Sequence, residues 1–202
     1  SLEAFEKLRH YGLFAPLFPE VEASLTRQQA DFPLTLVARG LDWLDQQGRA
    51  GVIMPPYWLL ALLWWEPVQQ LVGTEAKWQA LVDASQLLLT RQSRAQAVGI
   101  PARVGDEMRN LWLTQWRLAH PPKNPQNLLG HPLFAQAWQF LALRAQAGEV
   151  DTELVAWWQA IATASPAGRQ AMARMQTEAM LQGYPEAAAD VPPTEDFETP
   201  PP

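Results

Sequence analysis

At 202 residues, with a net charge of −6 and no cysteine, the chain suits one domain with at most a small appendage, and disulfides and thiolate metal sites are excluded. Its longest uninterrupted apolar run, Tyr57 to Trp65, is far shorter than the about 20 residues of a membrane-crossing helix, and no signal peptide is visible. A cytoplasmic protein without a membrane partner is expected, and the start at Ser1 rather than Met reads as a piece of a longer chain.

Helical spacing dominates from the first residues. Leu2, Phe5 and Leu8 begin an apolar stripe that stops near Gly12. The stretch "HYGLFAPLFPEV", His10 to Val21, is apolar enough to be buried, yet Gly12, Pro16 and Pro19 break any regular element. By composition it is either a joint inside the domain or a sticky surface made for a partner. Asp31 can then cap a helix with Pro33 in its first turn, running to Gln47 and ended by Gly48. Pro55-Pro56 start a strongly apolar helix through Leu71, kinked or divided by Pro67 and stopped by Gly73.

Thr74 with Lys77 opens the next long segment, to Gly99, and Pro101 to Ala119 follows, closed by His120-Pro121-Pro122. A turn near Asn127 leads to helices over Pro132 to Ala147, Asp151 to Ala162 and Pro166 to Gln182. No stretch alternates for long enough to be a strand. The expectation is an all-α, multi-helix, bundle-like body of about seven to nine helices over residues 1–182. Residues 183–202, "GYPEAAADVPPTEDFETPPP", are acidic and Pro-rich with almost no bulky apolar side chains, and read as a disordered tail. With that tail set aside, the body is long enough to bury about 70% of its unfolded surface.

Charge is unevenly spread. Residues 1–83 carry −4, residues 84–125 carry +4, residues 126–182 carry −1, and 183–202 hold five acids and no base. The overall acidity argues against nucleic acid, whereas the one basic block argues for it. Catalytic chemistry is harder to find. His10, His120 and His131 are scattered without metal-ligand spacing, and Gly48 and Gly51 lack the Lys-Ser/Thr of a phosphate loop. In "EVDTE", Asp151 as a cap with Glu153 in the first turn is the ordinary start of a helix, a simpler reading than a Mg²⁺ site. No catalytic residue and no metal ligand is assigned.

Ten tryptophans include the adjacent pairs Trp64-Trp65 and Trp157-Trp158. Neighbours point about 100° apart on a helix, so both members of a pair are not expected in one core. On Pro101–Ala119 a wheel places Val104, Met108, Leu111, Trp112, Gln115 and Leu118 on one, buried side. Arg103, Arg109 and Arg117 fall opposite, with Leu113 and Trp116, and Arg91, Arg94 and Lys123 extend the patch from neighbouring segments. Such a face suits a nucleic-acid backbone with a base stacked on Trp116. It equally suits Trp116 packed on another helix beside arginines that are merely solvated.

Four blocks in order carry a family resemblance. "LRHYGLFAPLFPEVEASL" resembles the segment that follows the helical neck of bacterial poly(A) polymerases, and "MPPYWLLALLWWEPV" is similar to the apolar helix after it. "IPARVGDEMRNLWLTQWRL" and "LLGHPLFAQAWQFLALRAQAGEV" resemble the family's Ile-Pro-x-Arg and His-Pro-x-Phe helices. The His-Pro-x-Phe region favours the poly(A) branch over CCA-adding relatives. The resemblance implies the C-terminal RNA-binding body of an enzyme that adds AMP from ATP to RNA 3′ ends. Mg²⁺, ATP, the Gly-Ser loop and the paired Asp belong to a catalytic head, and nothing in this chain matches that head. The expected partners are RNA 3′ ends and the protein's own head, with mRNA processing as the process served. The family's Ile-Pro-x-Arg falls on Ile100, Pro101 and Arg103, within the basic face. Many members end in a basic tail, whereas "PPTEDFETPPP" repels phosphates, so weaker RNA affinity is expected. The alternative from another class is a helical scaffold that braces the head or docks an RNA-processing partner. The same order reads Leu13, Phe14, Leu17 and Phe18 as core, with Gly12 as a helix stop and Pro19 as a helix start.

Overall fold

The computed structural model describes residues 1–27, 35–74, 77–95, 98–122 and 124–183, and all regular structure among them is helical. The first three helices are α1 (Leu2–His10), α2 (Phe14–Leu17) and α3 (Pro19–Arg27). Gly12, at φ 67°, turns the chain after α1 in a backbone conformation that side chains resist. Phe14 is buried edge-on against Phe5 at 5.0 Å and touches Phe18 at 4.8 Å, and Phe18 meets Trp64 at 5.3 Å. The single turn of α2 places residues 14 and 18 on its inner side. Leu13 and Leu17 consequently face out, 55% and 36% exposed, so half of the expected core of this joint lies at the surface. A two-bonded ion pair, Arg9 Nε and Nη2 to Glu22 Oε2 and Oε1 at 2.8 Å each, clamps α1 to α3 across it.

Next come α4 (Thr35–Arg49), α5 (Pro56–Leu63) and α6 (Trp65–Val72). The Asp31 cap and Pro33 lie outside the described residues. Pro67 has no N–H to give the carbonyl of Leu63, and the helix divides one turn earlier, at Trp64 (φ −91°, ψ 3°). That break re-aims the chain, so Trp64 and Trp65 are both buried, contrary to the expectation from an unbroken helix. The other pair behaves differently, with Trp158 buried and Trp157 half-buried.

The remainder is α7 (Trp78–Ala95), α8 (Ala102–Ala119), α9 (Gln126–Leu129), α10 (Phe134–Gln146), α11 (Thr152–Thr163) and α12 (Pro166–Gly183). Twelve helices among the described residues exceed the expected seven to nine because of the one-turn α2 and α9 and the division at Trp64. Asp151 caps α11 by accepting from the Glu153 N–H at 2.9 Å, as expected of a cap with Glu153 in the first turn. The tail expected beyond Gly183 falls outside the described residues.

Helix α5 lies inside the body, packed against α4, α6 and α8, while α8 is gripped in turn by α5, α7 and α10. Three buried tryptophans place their rings in the core and give their indole N–H to backbone carbonyls of neighbouring segments. Trp112 donates to Ala61 at 3.0 Å, Trp158 to Leu118 at 2.9 Å, and Trp58 to Gln136 at 3.3 Å. A buried polar knot joins α6, α8 and α10. Arg144 donates from Nε to Glu149 at 3.1 Å and from Nη1 to Gln115 at 3.4 Å, and its guanidinium lies 4.5 Å over the Trp65 ring. Gln115 donates to the Ala137 carbonyl at 2.8 Å, and Trp65 donates to Glu149 at 3.0 Å. Burial pulls the Arg144 guanidinium below its ordinary range, and Glu149 works against that pull.

Helices α4 and α5 cross closely at Gly40, where an added Cβ would meet the Leu62 δ-carbons at 2.4 and 2.7 Å. Gly40→Val should cost about 1–3 kcal/mol in urea unfolding. Adding Leu62→Ala should recover part of that loss, giving a coupling of about 1 kcal/mol in the double-mutant cycle. Glu149→Ala strands the Arg144 charge and should lower stability by about 2–3 kcal/mol, read by the same measurement.

Candidate nucleic-acid interface

The basic block of the sequence forms an antiparallel helical hairpin of α7 and α8. Trp78 at the start of α7 meets Trp116 near the end of α8, with ring centroids 5.4 Å apart. A Cβ on Gly105 would sit 3.5 Å from Leu89, which gives the same register at the other end. The loop between the helices is tied by Gln92 Nε2 donating to the Val98 carbonyl at 3.2 Å. Met108, Leu111, Trp112, Gln115 and Leu118 are buried and Val104 packs against them, so the inward stripe is the one that the spacing predicted.

The outward residues do not form one patch. Arg91 and Arg94 are exposed at the end of α7, and Arg103, with a 90% exposed side chain, begins α8. The hairpin register puts Arg91 level with Arg103, so these three exposed arginines all lie toward the loop end of the hairpin. Among the described residues Arg103 Nε meets the Glu107 carboxylate at 3.5 Å. The free N–H groups of the first turn of α8 add positive potential there. Arg109, halfway along, is half-buried, and its Nε meets no acceptor among the described residues. Arg117 stands at the opposite end, its guanidinium 4.9 Å over the Trp78 ring. At 1.5 Å per residue, Arg103 and Arg117 are about 21 Å apart along α8. Lys123 lies outside the described residues.

Trp116 is half-buried, edge-on to Trp78, with its indole N–H enclosed and no acceptor near it among the described residues. One of its faces is covered by the imidazole of His120, stacked at 4.0 Å and 21°. That contact has a sequence signal: a helix ending in His-Pro-Pro turns its last residue out of the helical region and back over the preceding turn. His131 is also close to this end. Its Nδ1 accepts from the Leu133 N–H at 3.2 Å, and burial, with Arg117 nearby, holds its pKa below the usual 6.5.

Two other places bear on chemistry. Among the described residues no group of three His, Cys, Asp or Glu side chains is arranged to hold a metal ion, and in "EVDTE" the Glu149 carboxylate is engaged by Arg144 and Trp65 and that of Asp151 by the α11 cap. A groove of about 480 Å³ between α4, α10 and α11 is lined by Trp43, Met54, Phe134 and Trp138 with several glutamines, and by no charged side chain. It has no positive charge to offer a phosphate.

A family profile described as "Polymerase A arginine-rich C-terminus" matches residues 73–186, more than half of the chain. The chain belongs to that family. The matched part runs from the end of α6 through α12 and contains the whole hairpin. Among curated proteins it is 29% identical to "Poly(A) polymerase I" of Salmonella typhi over 180 residues, covering 85% of this chain and 38% of that protein. The protein of the same name from Haemophilus influenzae is 28% identical over 166 residues, covering 78% of this chain and 36% of its own length. The chain thus spans less than two-fifths of the length of these polymerases. No described helix is long and apolar enough to cross a membrane.

His131 generates a pH prediction. Its pKa is lower folded than unfolded, so its contribution to stability is complete above pH 6.5 and is lost as the pH falls through the folded value. Unfolding free energy should therefore decline on acidification below 6.5. His131→Asn, whose side-chain carbonyl can accept from Leu133 without titrating, should flatten that decline in urea titrations at several pH values.

Proposed function

We propose that this chain is the RNA-holding body of a polynucleotide adenylyltransferase, keeping the 3′-terminal segment of RNA in place while a separate head adds AMP from ATP. The supporting observation is the exposure of Arg91, Arg94 and Arg103 toward the loop end of the hairpin, inside the part that matches the polymerase family. Three guanidinium groups around a helix start suit successive phosphates of a flexible strand. In this reading the chain contributes binding and no chemistry. ATP, Mg²⁺ and the transfer step belong to the head, and the product serves mRNA processing in the cytoplasm.

A second role has its own observation. Tyr11 and Leu13, 71% and 55% exposed beside the buried Phe14, offer apolar surface of a kind that suits protein contact. The same body thereby braces the head while the hairpin meets RNA.

Binding of fluorescent oligo(A) should be measured by anisotropy between about 50 and 200 mM salt. Affinity should fall steeply with salt. Substituting Arg91, Arg94 and Arg103 together by Ala should make the slope of log K against log salt shallower by about 2, at about 0.7 per lost phosphate contact. Salt-independent binding, or an unchanged slope in the triple variant, would sink the assignment.

A further inference from the structure

We propose that His120 is the base-stacking platform of the hairpin, taking one unpaired base of a bound strand on the ring face turned away from Trp116. The proposal rests on the RNA-holding reading above and adds a second, separate point of attachment to it. Trp116 itself is poorly placed to receive a base: it is half-buried, edge-on to Trp78, and covered by imidazole. His120 is the exposed member of that stack.

Its ring is also held still. The His120 backbone N–H donates to the Trp116 carbonyl at 3.0 Å, and ring Nδ1 lies 2.9 Å from the same oxygen. A carbonyl oxygen only accepts, so Nδ1 carries the hydrogen. Pro121 then keeps His120 out of the helical region, at φ −123° and ψ 76°, which prevents the ring from swinging away with a continuing helix. An aromatic ring already fixed on a second ring loses little freedom when a third is added, and every nucleobase has a flat face to add. Arg117, one turn from the ring, brings positive potential to the same end of the hairpin.

The distance between the two points then has a meaning. Arg103 and His120 are about 25 Å apart along the helix axis, so one strand touching both must run the length of the hairpin. Phosphates are gripped at the loop end and a base is stacked at the other, which sets the direction in which the strand crosses the body.

The test uses the full chain and two probes of equal length and phosphate number, oligo(A) and an abasic oligonucleotide, at low salt. His120→Ala should weaken oligo(A) binding about tenfold, within the roughly five- to hundredfold worth of one stacked base, and leave the abasic probe unchanged. His120→Phe keeps a stacking ring and should remain within about twofold of the unaltered chain on both probes. Arg91, Arg94 and Arg103 changed to Ala should weaken both probes alike. Equal oligo(A) binding by His120→Ala and the unaltered chain overturns the stacking role. So does an equal loss on both probes, or a His120→Phe variant as weak as His120→Ala. Each of these three results leaves the arginine contacts standing, whereas failure of the unaltered chain to bind oligo(A) overturns the RNA reading and this proposal together.

Discussion

A buried guanidinium has to be paired, and in this protein the pairing of Arg144 fixes the relation of three helices at once. Its partners come from the turn after α10, through Glu149, and from α8, through Gln115, while the Trp65 ring of α6 covers its face. Gln115 passes the constraint on by donating to the Ala137 carbonyl of α10. Rotating α8 by one residue would withdraw the amide from both partners and leave Nη1 of the buried guanidinium without its acceptor, with Glu149 alone to offset its burial. The rotational setting of α8 is thereby decided from its inner side. The outward direction of Arg103 at one end, and the His120 stack at the other, are consequences of that inner lock.

The same lock explains why the outward half of α8 is not a uniform basic surface. A helix gripped by α5, α7 and α10 has only a narrow strip left for solvent, and the antiparallel hairpin narrows it further along its middle. Arg109 is caught in that middle and is half-buried, whereas the hairpin ends remain open. Exposed positive charge lies toward the loop end, with Arg91, Arg94 and Arg103, and aromatic surface is concentrated where Trp78, Trp116 and His120 meet. Two sparse, unlike points suit a flexible single strand better than a rigid duplex, because a strand can adapt its path between them.

Much of this was legible in the residues. Helix positions followed from apolar spacing and from Pro and Gly punctuation, and the buried stripe of α8 was read correctly down to Gln115. The opening joint was read half correctly. Phe14 and Phe18 pack inside, but a single helical turn at α2 sends Leu13 and Leu17 outward, and a one-turn helix leaves no periodic signal. Both Trp64 and Trp65 are buried because the helix breaks at Trp64, so an angle taken from a continuous helix does not apply. The candidate site suffered most from projection onto a wheel: Arg103 and Arg117 share a half of the helix there, and the wheel discards the axial distance that separates them.

By itself the sequence determined the all-α class, the placement of most helices and the family, because these depend on local spacing and on residues in fixed order. It also determined that positive charge is concentrated in residues 84–125. Only the tertiary structure decided which of those charges reach solvent and which aromatic ring is left uncovered. Exposure is a property of what lies on the other side of a side chain. For Arg109, Trp116 and His120 those neighbours include α7 and the turn after α8, which the spacing within one helix does not report.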